Sequence, residues 1–140
     1  MNSNDNKILN LLKNASLNEG AGEKLIAEAE VTAGLLFPED YKALLKHSNG
    51  CEGFLSDGSY VVIWPVDQVV ELNDSYSIKE FAPGVLLFGT NGADDGYGFD
   101  TRASNFPVVS VPLVGMRLSE VQPCANTLSE FLDASRRKHK

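Results

Sequence analysis

The sequence predicts an α+β domain, a mostly antiparallel sheet with helices at both ends of the chain packed on one side. Three observations carry this reading. Apolar residues recur at helical spacing near both ends of the chain. Between them, short β-branched and aromatic runs alternate with turn residues. The run at residues 85–89, Val-Leu-Leu-Phe-Gly, is apolar throughout, as a central strand covered on both faces should be.

The helices are signposted in order. Ile8, Leu9, Leu11 and Leu12 predict a short opening helix. Residues 22–33 predict a second, with Leu25, Ile26 and Ala29 facing inward. A third starts with Pro38 at its first position, where a missing N–H does no harm. Glu39 and Asp40 follow in the first turn, where the helix dipole favours negative charge. Tyr41, Leu44 and Leu45 form its apolar stripe, and Asn49-Gly50 is expected to end it.

After Gly50 the period changes. Ser56-Asp57-Gly58-Ser59 is a turn signal followed by the β-branched and aromatic residues 60–64, which predicts a hairpin. Residues 66–72 predict a short helix. Residues 97–100, 108–111 and 121–124 read as further strands, with the turn-rich residues 91–96 joining two of them. Thr127-Leu128-Ser129-Glu130 is a capping box that opens a last helix, with Leu128, Phe131 and Leu132 inward.

The 140 residues hold no internal repeat, low-complexity tract or dividing linker, so one domain over residues 1–140 is expected. A chain of this length buries roughly 68–70% of its unfolded surface and needs no disulfide or metal to fold. Cys51 and Cys124 form no CxxC or zinc spacing and read as small buried apolar residues. No run approaches the roughly 18 apolar residues of a membrane span. The N-terminus shows no basic segment followed by an apolar one, so a cytoplasmic location is expected.

Charge narrows the partners. Nineteen acidic residues against twelve basic ones leave a net charge of −7. Such a surface repels nucleic acid and anionic lipid and attracts a basic protein. The same charge also serves simple solubility.

Catalytic motifs are missing from the sequence: no GxSxG, no P-loop and no dinucleotide fingerprint. His47 lies four residues before Cys51, but the Asn49-Gly50 break intervenes and no third group orients the pair. His139 falls in a polar tail. Trp64 would be an anchor for a partner if exposed, but a lone tryptophan in an apolar stretch reads as core. The acidic loop Asn91-Gly92-Ala93-Asp94-Asp95-Gly96-Tyr97-Gly98-Phe99-Asp100 lacks the alternating ligands and terminal glutamate of a calcium loop. It reads as a glycine-assisted turn with solvated aspartates, or as a binding surface. No catalytic residue, metal site or cofactor is expected.

These pieces, in this order, resemble the SUKH superfamily, which includes bacterial immunity proteins and a fungal regulator of cell-wall assembly. Leu36-Phe37-Pro38-Glu39-Asp40-Tyr41 through Asn49-Gly50 resembles the family's proline-started helix. Ile63-Trp64-Pro65-Val66-Asp67-Gln68-Val69-Val70 resembles its strand-then-helix block. Residues 85–100 are similar to its glycine-rich hairpin, residues 106–113 to its next strand and residues 127–132 to its closing helix, with Leu128 where an aromatic is common. The resemblance covers about residues 22–134. It implies a non-catalytic protein that neutralises a toxin, often a nuclease, by direct binding. A regulatory module for an endogenous partner is the alternative it leaves open. An enzyme or metal-binding protein built on Asp94, Asp95 and Asp100 is a further one.

The residues themselves place the binding face. Glu52 and Asp57 fall in the first hairpin region, and Asp94, Asp95 and Tyr97 in the second. Turn residues lie at the surface, and lysine and arginine are absent from residues 51–77 and 81–101. These five residues are the expected contacts for a basic protein toxin.

Overall fold

The computed structural model describes residues 16–55 and 57–133. The helix expected at Ile8–Leu12, and His139, lie outside the described residues. Among the described residues, seven strands form one antiparallel sheet in strict chain order: β1 (Ser16–Leu17), β2 (Cys51–Phe54), β3 (Tyr60–Ile63), β4 (Val85–Thr90), β5 (Asp95–Asp100), β6 (Val108–Pro112) and β7 (Gln122–Ala125). Helix α1 (Glu23–Ala33) and α2 (Glu39–His47) lie between β1 and β2. Helices α3 (Val66–Ser75) and α4 (Ile78–Phe81) connect β3 to β4, and α5 (Leu128–Leu132) follows β7. The α+β class and the antiparallel sheet are as the sequence predicts.

The core forms where apolar stripes meet the central strands. Ile26 and Ala29 of α1, Tyr41, Leu44 and Leu45 of α2, and Leu128, Phe131 and Leu132 of α5 are all buried. Leu25 is half-buried. Tyr41, Phe88, Phe99 and Phe131 form an aromatic cluster with ring centroids 4.8–6.1 Å apart. Successive β-strand side chains alternate between faces. Phe99 and Tyr97 therefore point to the α2 and α5 side, and Gly96 to the other. There, a Cβ at Gly96 would come within 2.8 Å of Leu113 and 3.1 Å of Leu87. Leu113 thus folds back over the second face, and Val85–Phe88 are buried on both sides. Trp64 is core, its ring stacked parallel to that of Tyr76.

The helix ends depart from expectation. Pro38 stands one place earlier than expected, as the N-terminal flanking residue of α2. At the other end the helix stops at His47 because Ser48 is already extended. Asn49-Gly50 therefore does not cap α2. Asn49 reaches forward instead, and its Oδ1 accepts from the Val66 N–H at 2.7 Å. It caps α3, whose own flanking residue, Pro65, makes no side-chain cap. Gly50 is needed for a different reason: its φ is +87°, and a Cβ there would lie 2.8 Å from Ile63 O. Asp40 likewise serves another helix than its own. Its Oδ2 accepts from Ser129 N at 3.0 Å, while Thr127 Oγ1 accepts from Glu130 N at 3.1 Å. Two of the N–H groups that open α5 are thereby satisfied.

Of the two cysteines, Cys51 is buried and Cys124 half-buried. No helix among the described residues is long and apolar enough to cross a membrane.

Candidate protein-binding edge

An antiparallel meander puts alternate hairpin turns at the same end of the sheet. Val62 of β3 pairs with Thr90 of β4, so the start of β3 lies beside the end of β4. The β2–β3 turn and the β4–β5 turn are consequently neighbours. Pro112 pairs with Asp95, which brings the end of β6 to the same place. Leu113 N donates to Asp94 O at 2.9 Å there, and the next residue, Val114, is 87% exposed.

Tyr60 joins the two hairpins. Its hydroxyl donates to the Glu52 carboxylate. Its ring meets Phe54 edge-on, with centroids 4.8 Å apart. Its other neighbour is Gly92, at the tip of the β4–β5 turn, where a Cβ would lie 3.0 Å from Tyr60 Cδ2. Gly92 also has φ +82°, so both the turn and the close approach favour glycine.

Four of the five expected contact residues come together at this end. Glu52 is exposed on β2. Asp57 is exposed in the first turn, its carboxylate accepting from the Ser59 N–H at 3.0 Å. Asp94 is exposed in the second turn, and Asp95 is half-buried at the start of β5. Asn91 organises that turn, its Oδ1 accepting from Ala93 N at 2.9 Å and Asp95 N at 3.1 Å. Partial burial, and then the neighbouring Asp94 charge, raise the Asp95 pKa above the ordinary carboxylate value. Tyr97 is the exception. Its ring packs against Phe131, centroids 4.6 Å apart, on the helix-covered side. The aromatic rings beside the acids are Phe54 and Tyr60, which sequence reasoning did not single out. Phe54 is 69% exposed. Its signal was present as a large aromatic just before a turn, but period alone does not tell which face of a short strand is bare.

The same geometry bears on the other chemistries weighed. Asp94 and Asp95 stand at one end of β5 and Asp100 at the other. At about 3.3 Å per residue the strand separates its ends by about 16 Å. Asp100 is engaged by Arg102, whose Nε and Nη2 donate to it at 2.8 and 2.9 Å. These hydrogen bonds hold the Asp100 carboxyl below the usual range. Among the described residues no three His, Cys, Asp or Glu side chains gather closely enough to hold a metal ion. His47 is exposed, whereas burial and then the Glu52 charge push the Cys51 thiol up to about 11. A thiol so shifted keeps its proton and is a poor nucleophile. A groove between α1 and α3, lined by Leu25, Ala29, Val66 and Val70 among others, holds about 180 Å³. That is below the roughly 300–1,000 Å³ of small-molecule sites.

Fold and surface together define an α+β domain with an acidic end built from two hairpins. Residues 20–134 match the model of the SMI1 / KNR4 family (SUKH-1), and the chain belongs to that family. The matched span begins two residues before the one inferred from sequence motifs and ends at the same residue. A comparison with curated proteins gave no match.

Proposed function

We propose that this chain is a non-catalytic immunity protein that neutralises a basic toxin, a nuclease domain foremost, by binding it directly. The observation that carries the proposal is the meeting of the two acidic hairpins at Tyr60 and Gly92. Residues 51–77 and 81–101 contain no lysine or arginine, and this topology gathers the turns of both stretches at one end. A nuclease carries positive charge to hold its polyanionic substrate. An acidic edge is complementary to that surface, speeds encounter with it and disfavours acidic competitors. Family membership supports the reading, because the family includes immunity proteins.

Asp94 and Asp95 add a second line of support. Partial burial, and then the adjacent Asp94 charge, raise the Asp95 pKa. A carboxylate whose charge is disfavoured in this way in the free domain gains when a cation arrives.

The test is protection. Genomic context supplies the candidate toxin domain, which is assayed with and without the protein as its activity is titrated. Stoichiometric loss of toxin activity, with a stable complex on size exclusion, is expected. Full toxin activity at excess protein, with no complex, would contradict the proposal.

A further inference from the structure

The outward face of the first hairpin carries more than charge. Glu52, Phe54, Tyr60 and Val62 share it, because Glu52 pairs with Val62 and Phe54 with Tyr60 in the β2–β3 register. Phe54 is 69% exposed although it is fully aromatic and lies beside buried core positions on the same strand pair. Its edge contact with Tyr60 fixes one side of the ring and leaves the rest to solvent. Tyr60 is held on three sides, by Phe54, by the Glu52 carboxylate and by Gly92. The pair is thus preorganised, and an acid stands directly against it.

We propose that Phe54, Tyr60 and Glu52 form a seat for an arginine side chain of the basic partner. This rests on the reading of the acidic edge as a partner-binding surface and names the contact at its centre. Three features select arginine. An aromatic ring attracts a cation to its face through its quadrupole. A guanidinium is planar and weakly hydrated, so it stacks on a ring at less desolvation cost than an ammonium. A carboxylate beside the ring accepts the in-plane N–H groups that stacking leaves free. Glu52 supplies that carboxylate, and Asp57 and Asp94 add exposed negative charge in the two neighbouring turns. A lysine satisfies the charge but not the plane. An apolar side chain satisfies the ring but leaves Glu52 without a counter-charge.

The test needs no knowledge of the partner. The full chain, isotope-labelled, is titrated by NMR with a short capped peptide containing two arginines, at about 0.15 M salt to suppress long-range attraction. A lysine peptide of the same length and a neutral one are run in parallel. The expected result is shifts centred on Phe54, Tyr60 and Glu52, with the arginine peptide binding several-fold more tightly than the lysine peptide. Phe54→Leu keeps the apolar contact and removes the ring, so it should abolish that preference while leaving the spectrum of the fold intact. Glu52→Gln should weaken arginine binding without shifting Phe54 out of its place. Equal binding of both cationic peptides, with shifts spread over Asp57, Asp94 and Asp95 and unchanged in Phe54→Leu, would overturn the seat while leaving the acidic-edge reading standing. Binding of the neutral peptide as strongly as the arginine peptide would also overturn it, in favour of an apolar contact. Shifts centred elsewhere on the molecule would overturn both.

Discussion

Asn73 hydrogen-bonds Leu87 as a neighbouring strand would. Leu87 N donates to Asn73 Oδ1 at 2.8 Å, and Asn73 Nδ2 donates to Leu87 O at 2.9 Å. The arrangement is needed because β3 pairs with β4 only at Val62 and Ile63, so the first half of β4 has no strand on that side. A buried backbone edge must find other partners. The amide of Asn73, itself buried on α3, presents one donor and one acceptor at the required spacing, and Nδ2 also donates to Val69 O at 2.7 Å. The side chain thereby ties α3 to the central strand from which the acidic hairpin emerges.

Asn73→Ala should therefore destabilise the protein by about 2–6 kcal/mol, since it orphans a buried N–H and a buried C=O at about 1–3 kcal/mol each. Asn73→Asp should be worse at neutral pH than in mild acid. Its carboxylate would face the Leu87 carbonyl with no proton to donate, so burial raises its folded pKa above the unfolded value. Stability is then lost as pH rises from the unfolded towards the folded pKa. Urea midpoints of both variants check this. An Asn73→Ala midpoint equal to the parent's would show that the pair contributes nothing.

Asn49→Ala should cost about 0.5–2 kcal/mol, the range for a helix cap, because Val66 N would lose its acceptor. The loss should appear first in amide exchange at the start of α3, and leave the end of α2 unchanged. Faster exchange at residues 45–48 instead would mean that Asn49 caps the preceding helix after all.

Phe131→Ala should cost about 3–5 kcal/mol, as for other large buried aromatics. Its ring is fully buried and touches both Phe88 and Tyr97. Thermal melting within a degree or two of the parent would contradict the packing of α5 on the sheet.

The Asp94–Asp95 pair makes a pH prediction. The folded pKa of Asp95 is raised, so the folded state holds its proton where the unfolded state has released it. Its contribution is favourable at low pH and lost as pH rises from the ordinary carboxylate value through the folded one. Asp94→Asn removes the repelling charge. The variant should gain on the parent as pH rises from about 4 to about 7, the span over which carboxylates ionise. Asp100 works in the opposite direction: Arg102 lowers its pKa, so its stabilisation is present at neutral pH and fades in acid. Comparing variant with parent cancels that second effect. A stability difference that does not change with pH would contradict the coupling between Asp94 and Asp95.

The sequence made the local events legible and left the distant ones hidden. Thr127 and Glu130 announce α5 because a cap and its acceptor are three residues apart. Val85–Phe88 announce a central strand because their apolar character needs no partner to be seen. Asn49 looked like the end of α2, since nothing local shows that its amide serves a helix 17 residues on. Helix α4 went unread for a similar reason. It is entered through Ser77, a non-glycine flanking residue with φ +54°, which no composition rule anticipates. Strand β1 has only two residues, too few to show a period. At the site, turn residues exposed the acids, and the topology that sets the two turns side by side came only from the fold. Tyr97 has the chemistry and the loop position expected of a contact. Alternation along β5 then turns its ring towards Phe131, and leaves Tyr60 and Phe54 as the aromatic residues of the edge.

The most direct test of the acidic edge is the association rate with the proposed basic toxin partner, measured by stopped flow over a range of salt. Charges at an interface rim act mainly on encounter. Reversal of the pair, Asp94→Lys with Asp95→Lys, should slow association several-fold and flatten its salt dependence, while circular dichroism shows an unchanged fold. The Leu113 N–H would still have the backbone carbonyl of residue 94, so the turn need not move. An association rate and a salt slope both equal to the parent's would contradict the account and put the binding face elsewhere on the molecule.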